Sequence, residues 1–167
     1  MTSQRRPTAA PKLALRAEPV SRQKLRLWLR LLKTSRAVES ELRERLRLNF
    51  GTTLPKFDVM AALARKGAGM TMTEVSRFLM VSNGNVTGLV DRLVAEGMVV
   101  RLAHEGDRRA TFVRLTPKGA QQFHAMARAH ESWISELLAP VGRENADTLV
   151  ALLGLLRAPA RNKRKIP

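Results

Sequence analysis

The 167 residues include 30 Lys or Arg against 14 Asp or Glu, which gives the chain a formal charge of +16 at pH 7. The absence of cysteine excludes disulfide scaffolds, thiolate metal sites and thiol-based sensing, and no apolar run reaches the roughly 18 to 20 residues that cross a bilayer. The length and the 44% hydrophobic content predict a soluble domain with appended helices, and the charge favours polyanionic partners.

Both ends of the chain are basic and lack apolar periodicity. Residues 1–20 hold four Lys or Arg, one Glu and three Pro, and residues 158–167 hold four Lys or Arg, two Pro and no acid. We predict a disordered basic arm over 1–20 and a disordered basic tail over 158–167, with nucleic acid favoured over membrane as the partner. The alternatives are that both ends serve solubility alone, or that the first is a transit peptide.

A long first helix is predicted between Ser21 and Asn49, where neither Pro nor Gly occurs and apolar residues recur every three to four positions. Gly51 is expected to end it. Additional leucines widen the apolar surface beyond one stripe, which predicts burial at a subunit interface. These leucines are Leu27, Leu29, Leu31 and Leu48.

The next segments have the pattern of a helix-turn-helix. A second helix is predicted after Thr53, with Pro55 in its first turn. Thr71 and Glu74 have the spacing of a capping box and predict the start of a third helix. A turn at residues 81–84 then leads to an amphipathic fourth helix that closes at Gly97. Its apolar positions are Val86, Leu89, Val90 and Leu93.

A β-hairpin follows the fourth helix. Residues 98–102 are predicted to form a strand and residues 110–115, whose faces alternate, its partner, and residues 104–109 form a charged loop between them, as in the wing of a winged helix. Thr116 and Pro117 predict the start of another long helix, and a last helix is predicted over about 142–156.

The order of these elements and three strings resemble the MarR family of bacterial transcriptional regulators. The strings are residues 89–97, residues 107–110 and residues 113–119, and the last two are similar to the family's wing signature. The resemblance covers about residues 21 to 157. It implies a homodimer, a near-palindromic operator in double-stranded DNA and a small-molecule inducer.

We therefore predict a mainly α fold with a small β-hairpin wing. A winged helix-turn-helix DNA-binding lobe is assigned to residues 52–116, and a helical dimerisation region to residues 21–50 and 117–157. The predicted function is a sequence-specific regulator, with repression as the default implied by the resemblance. A bacterial cytoplasmic, nucleoid-associated location fits this function, and no membrane partner is expected.

A recognition helix reads the major groove with residues near its amino terminus. Gly84 and Gly88 allow close approach of the backbone to the groove. The alternative for Ser82 and Asn85 is helix capping alone. Arg92 is a candidate phosphate contact that could instead pair with Asp91 or Glu96. The base- or phosphate-contacting candidates are Ser82, Asn83, Asn85 and Thr87.

In the wing, Arg108 and Arg109 are candidates for a narrow minor groove, whose negative potential attracts arginine. By resemblance, Asp107 orients one of them. A solvated hairpin held by an Asp–Arg pair is the alternative, and His104 is expected to be an exposed bystander.

Dimerisation is expected to use the first helix and the last two. The interface candidates are Leu137, Leu138, Leu149, Leu152, Leu153 and Leu156. The family's effector pocket lies between the dimerisation helices and the DNA-binding lobe, and an aromatic carboxylate or its coenzyme A thioester is our hypothesis for the ligand. The candidate lining residues, for which core packing is the alternative, are Trp28, Phe57, Met60 and His124.

We expect no enzyme, no cofactor and no metal site. The chain lacks cysteine and tyrosine, has no Gly-rich phosphate loop, and its histidines at 104, 124 and 130 do not have metal-ligand spacing. The competing hypothesis is an architectural, largely sequence-neutral DNA-binding protein, which would not need the Asn and Thr side chains of the fourth helix.

Overall fold

The computed structural model describes residues 20–104 and 107–156, with side chains for 22–102 and 112–156. The chain divides after Ala37 into two compact units, and each is described by itself. The helices are α1 (Val20–Phe50), α2 (Leu54–Lys66), α3 (Met72–Leu79), α4 (Asn83–Ala95), α5 (Pro117–Leu137) and α6 (Arg143–Gly154). The strands are β1 (Met70–Thr71), β2 (Val99–His104) and β3 (Asp107–Leu115). This is the predicted helical fold with a β-hairpin wing.

Helix α1 ends as predicted at Gly51, which has a positive φ of 59° that glycine adopts without a side-chain clash. The Gly51 amide donates to the Arg47 carbonyl at 3.1 Å, and the Thr52 amide donates to the Leu46 carbonyl at 3.4 Å. These bonds satisfy carbonyls that the last helical turn leaves without partners. A short segment, residues 51–53, then leads to α2.

The first half of α1 forms the described part of the first unit. Leu25, Leu27, Trp28 and Leu29 are each more than half exposed there.

The predicted capping box begins α3. The Thr71 hydroxyl accepts from the Glu74 amide at 3.2 Å, and the Glu74 carboxylate accepts from the Thr71 amide at 2.8 Å. Lys66 at the end of α2 also donates to Glu74. Lys66 first, and then the Thr71 amide, lower the pKa of Glu74 to about 2 from an ordinary value of 4.5.

The sheet has three antiparallel strands in the order β1-β3-β2. The hairpin pairing extends from Val99 opposite Leu115 to Ala103 opposite Thr111, and after a register shift His104 lies opposite Asp107. The predicted loop over residues 104–109 is therefore too long, because backbone pairing continues almost to the tip. Strand β1, which sequence periodicity did not predict, pairs Met70 with Val113 on the other edge of β3.

The core of the second unit lies between the second half of α1, α2, α3, α4, the sheet and α5. Its members Val59, Val75 and Val113 are fully buried, and Leu46 brings α1 into the same cluster. The burial of apolar surface, which contributes a free energy of about 25 cal/mol per Å², holds these elements together. The largest side chains that the core excludes from solvent are Leu46, Met60, Leu63, Leu93 and Met126.

Helix α5 begins at the predicted threonine cap, where the Thr116 hydroxyl accepts from the Gly119 amide at 2.9 Å. Arg45 of α1 ties the other end of α5 through a two-pronged contact with Glu136, at 2.6 and 3.0 Å. A 3₁₀ turn, Ala139–Val141, separates α5 from α6. None of the residues of α6 is buried.

None of the described helices is both long and apolar enough to cross a membrane.

Candidate nucleic-acid interface

The turn between α3 and α4 sets the direction of α4. Met80 ends α3 in the left-handed region, with φ 56° and ψ 32°, and its side chain is 90% exposed. The Val81 amide donates to the Ser76 carbonyl at 3.2 Å, and the Ser76 hydroxyl donates back to the Val81 carbonyl at 2.7 Å. The two bonds brace a short turn of the helix-turn-helix type.

Helix α4 is anchored by its apolar face. Val86, Val90 and Leu93 are at most 1% exposed within the core. Because they lie at positions i, i+4 and i+7, they share one face of the helix. The opposite face and the amino-terminal turn of α4 consequently point outward.

The four predicted contact residues lie on that outward part of α4, and all are exposed. Ser82 occupies the N-cap position, but its side chain makes no capping bond. The Thr87 hydroxyl donates to the Asn83 carbonyl at 3.0 Å, which leaves its oxygen lone pairs to accept from another group. The amino-terminal end of α4 thus displays the amide and hydroxyl groups that can serve base edges or phosphates. The members of this set are Ser82, Asn83, Asn85 and Thr87.

Arg92 lies exposed on the same helix, and its Nε donates to the Gly88 carbonyl at 3.0 Å. The two acids that the sequence offered as its partners form ion pairs with other cations. Asp91 pairs with Arg101 of β2 at 2.6 Å, and the Glu96 side chain pairs with Lys56 of α2. The charge of Arg92 is directed along the outer surface of α4.

The carboxyl-terminal end of α4 is held by α5. The Lys118 ammonium donates to the Glu96 carbonyl at 3.0 Å, and the Thr116 hydroxyl donates to the Gly97 carbonyl at 2.7 Å. A cation at this end also complements the helix dipole. The string around Thr116 was attributed to the wing by resemblance, whereas these contacts make it a support for the candidate recognition helix. Sequence reasoning missed this role, because the partners are about 20 residues apart.

The wing backbone is formed by β2 and β3, and its tip lies beside residues 105–106, which fall outside the described residues. Asp107, Arg108 and Arg109 belong to β3 rather than to a loop. Their side chains, and that of His104, are likewise outside the described part of the chain. Their predicted contacts with DNA therefore stay predictions.

Two of the four candidate effector residues lie in the core. Met60 is 1% exposed and Phe57 is 7% exposed. The Phe57 ring stacks on His130 of α5, with ring centroids 4.9 Å apart, and on Phe123 at 5.7 Å. Burial lowers the pKa of His130 below its ordinary value of 6.5.

The other two effector candidates are exposed. Trp28 belongs to the first unit and is 57% exposed. His124 lies on α5 beside a cavity of about 200 Å³, which is also lined by Leu63 and Leu115. The structure thus gives His124 an accessible edge and encloses Phe57 and Met60.

The candidate interface leucines are mostly exposed in the isolated chain. Leu138, Leu149 and Leu153 are 44 to 48% exposed. Leu152 and Leu156 exceed half exposure, and Leu137 is half-buried.

A braced turn, an outward-facing helix end and an adjacent β-ribbon define a winged helix-turn-helix DNA-binding protein. The sequence model of the MarR family matches residues 50–110. A crystal structure of a MarR family transcriptional regulator from Silicibacter pomeroyi is 35% identical, covers 83% of this chain and 96% of that one, and has a TM-score of 0.70. The chain belongs to the MarR family of transcriptional regulators.

Two further comparisons agree with this assignment. The transcriptional regulator PecS of Dickeya dadantii is 32% identical over 111 residues, which are 65% of this chain and 67% of PecS. A mutant MarR from E. coli, solved in complex with operator DNA, is 26% identical with a TM-score of 0.71, over 83% of this chain and 98% of that one. Members of the family thus bind operator DNA.

Proposed function

We propose that the chain is a sequence-specific transcriptional repressor that binds a pseudo-palindromic operator as a homodimer. The proposal rests on the amino-terminal end of α4. Four polar residues are exposed there, while the apolar face of the same helix is buried. Asn is suited to paired contacts with adenine, and Ser and Thr can contact bases or phosphates. A relative from E. coli has been solved in complex with operator DNA, which supports operator DNA as the partner of this chain.

Dimerisation is supported by apolar side chains that a single chain leaves in solvent. They occur on the first half of α1 and on α6, which has no buried residue. Monomeric proteins rarely expose apolar surface so densely, so we assign both surfaces to contacts with a second copy. A two-fold dimer presents two α4 helices about one DNA turn, or roughly 34 Å, apart, which requires a pseudo-palindromic site.

The first test is binding of the purified protein to the intergenic DNA upstream of its own gene, against a scrambled duplex of equal length at about 0.15 M salt. We expect a preference of roughly 10³ or more for the upstream duplex. Equal affinity for the two duplexes, followed by genome-wide selection that returns no shared motif, would support the architectural alternative.

Two threonines with the same local helix geometry allow a test of whether the Thr87 side chain reads the DNA sequence. Thr87 and Thr148 are both exposed, and each hydroxyl donates at 3.0 Å to the carbonyl four residues earlier. Thr87→Ala should weaken binding to the preferred duplex by about 1 kcal/mol or more while sparing the scrambled one. Thr148→Ala should change neither, and sedimentation checks that this variant of α6 still forms the dimer. An equal decrease on both duplexes for Thr87→Ala would contradict sequence reading by this residue.

We further propose that a small aromatic carboxylate, or its coenzyme A thioester, releases the DNA. The cavity beside His124, at about 200 Å³, is smaller than the 300 to 1,000 Å³ usual for larger ligands, which favours a single-ring acid. Release requires that the ligand binds the DNA-incompetent state more tightly than the competent one. Benzoate and benzoyl coenzyme A are suitable probes in a DNA-release titration, and His124→Ala should raise the concentration that half-releases the duplex. A response unaltered by His124→Ala would place the ligand elsewhere.

A further inference from the structure

The charges of α1 are unevenly distributed along the helix. Residues 20–37 contain six Lys or Arg and no Asp or Glu, whereas residues 38–50 contain three Arg and three Glu. In the second half the charges neutralise one another, as in the pair of Arg43 with Glu39 at 3.1 Å and the pair of Arg47 with Glu44 at 2.6 Å. The first half of α1 contains no Asp or Glu that could neutralise its cations in this way.

Five of the six cations share one side of the helix. At 3.6 residues per turn, they fall within an arc of about 120°, which we call the basic stripe. Lys24 points to the opposite side, among Leu27, Trp28, Leu31 and Leu32. All five stripe residues are exposed. They are Arg22, Arg26, Arg30, Lys33 and Arg36.

The length of the stripe matches a nucleic-acid backbone. Arg22 and Arg36 are 14 residues apart, which corresponds to about 21 Å along a helix that rises 1.5 Å per residue. One DNA strand carries a phosphate for every 3.4 Å of duplex axis, so about six phosphates of each strand pass in that distance. Four of the five residues are Arg, whose planar fork suits bidentate contact with phosphate oxygens.

The apolar side of the same helix explains why the stripe stays accessible. Trp28 and Leu27 are more than half exposed in the single chain and lie on the side that we assign to the second copy. Covering that side leaves the basic side in solvent, together with Leu29, which is 52% exposed and lies within the arc of the stripe. A structural requirement for dimerisation therefore accounts for Leu27 and Trp28 but not for the aligned cations.

We propose that the basic stripe is a second nucleic-acid contact, which binds the phosphate backbone of duplex DNA without reading its sequence. It uses none of the residues at the polar end of α4 and does not depend on how α4 recognises its operator. Its contribution comes from counterion release, so it adds affinity that declines steeply with salt.

The test compares two variants of the full chain. The fourfold variant replaces Arg22, Arg30, Lys33 and Arg36 by Gln and so removes four of the five charges of the stripe. Gln preserves the helix because its helix propensity is close to that of Lys and Arg. Lys24→Gln is the control, since it removes one charge from the opposite side of the same helix, and Arg30→Gln is its single-charge counterpart. Circular dichroism and sedimentation confirm that helix content and subunit number are unchanged.

The affinity of each variant for DNA is measured from 50 to 300 mM salt in two arms. The first arm measures binding of the free protein to the operator duplex. The second measures binding of a random duplex to protein that is already saturated with operator. We expect the fourfold variant to lower the slope of log K against log salt by about 0.9 for each phosphate that it no longer neutralises, in one or both arms. Arg30→Gln should lower it by about one unit, and Lys24→Gln should not. The arm that responds tells whether the stripe holds the operator itself or a second duplex.

Three results would overturn the proposal. The first is a salt slope that the fourfold variant leaves unchanged in both arms. The second is an equal decrease of the slope by Lys24→Gln and Arg30→Gln, which would indicate only the general positive field of the protein. The third is weaker binding of the fourfold variant to vesicles of anionic phospholipid with unchanged DNA slopes, which would make the stripe a lipid-binding surface. The ratio of operator to random affinity reports separately on the proposed function, because a backbone contact leaves that ratio intact.

Discussion

Gly119 and Met98 approach so closely that no side chain fits between them. A Cβ atom at Gly119 would lie 1.9 Å from the Met98 carbonyl oxygen, which is itself the acceptor of the Thr116 amide at 3.0 Å. The contact places the first turn of α5 directly against the segment that leaves α4. The glycine in the Thr-Pro-Lys-Gly string is therefore required by the packing of α5 against the segment that joins α4 to β2.

Gly119→Ala is expected to lower the free energy of unfolding by about 3 kcal/mol, because the added methyl group must displace backbone. Gly84→Ala is the control, since a Cβ there meets nothing within 4 Å, and it should leave stability unchanged or raise it by up to about 1 kcal/mol. Urea unfolding at one fixed protein concentration measures both. Similar midpoints for the two variants would refute the packing argument.

Met80 holds a left-handed conformation at the turn before α4, with φ 56°. Met80→Gly should raise the free energy of unfolding by about 0.5 to 1 kcal/mol, because glycine avoids the clash of Cβ with the backbone. Met80→Leu keeps the Cβ and should have no such effect. If thermal denaturation showed the same gain for both variants, the exposed side chain rather than the backbone would be responsible.

Gly84 lies in the first turn of α4, where a Cβ would meet nothing within 4 Å in the free protein. Gly84→Ala should therefore leave the stability of the free protein unchanged or slightly raised. If the helix backbone approaches the DNA here, the methyl group should weaken operator binding about tenfold, or about 1.4 kcal/mol. Electrophoretic or fluorescence titration against the wild-type protein checks this. Unchanged operator affinity would show that DNA does not come close to this turn.

Glu74 should make the stability of the protein depend on acid pH. Lys66 and the Thr71 amide lower its folded-state pKa to about 2 from 4.5. A carboxylate with a depressed folded pKa contributes its full stability above about pH 4.5, and the contribution is lost as the pH falls toward 2. Glu74→Gln should flatten that part of the profile of unfolding free energy against pH. Parallel profiles for wild type and Glu74→Gln from pH 5 to pH 2 would rule out this carboxylate as the source.

His130 should provide a second dependence of stability on pH. Burial against Phe57 lowers its folded pKa below 6.5, so its neutral form is favoured in the folded protein. The associated stability is present above pH 6.5 and declines as the pH falls through that value toward the folded pKa. NMR titration of the imidazole should show a midpoint below 6.5, and a midpoint at or above that value would contradict the burial argument.

Much of the fold could be predicted from the sequence because the relevant interactions are local. The capping box of Thr71 and Glu74, the helix end at Gly51 and the apolar face of α4 depend on residues no more than about seven positions apart. Such signals survive in the sequence as fixed spacings. The candidate contact residues follow from the same logic, since the amino-terminal end of a recognition helix can be located once the helix is known.

Tertiary structure decided the features that join distant parts of the chain. Strand β1 exists because β3 offers Met70 a pairing edge, and two residues are too few to show periodicity. Asp91 pairs with Arg101 instead of its neighbour Arg92, since the adjacent strand brings that cation within 2.6 Å. The contact of Gly119 with Met98 likewise depends on how α5 packs. Spacing along the sequence encodes turns and helix faces, but it does not encode which distant surfaces the burial of apolar groups will bring together.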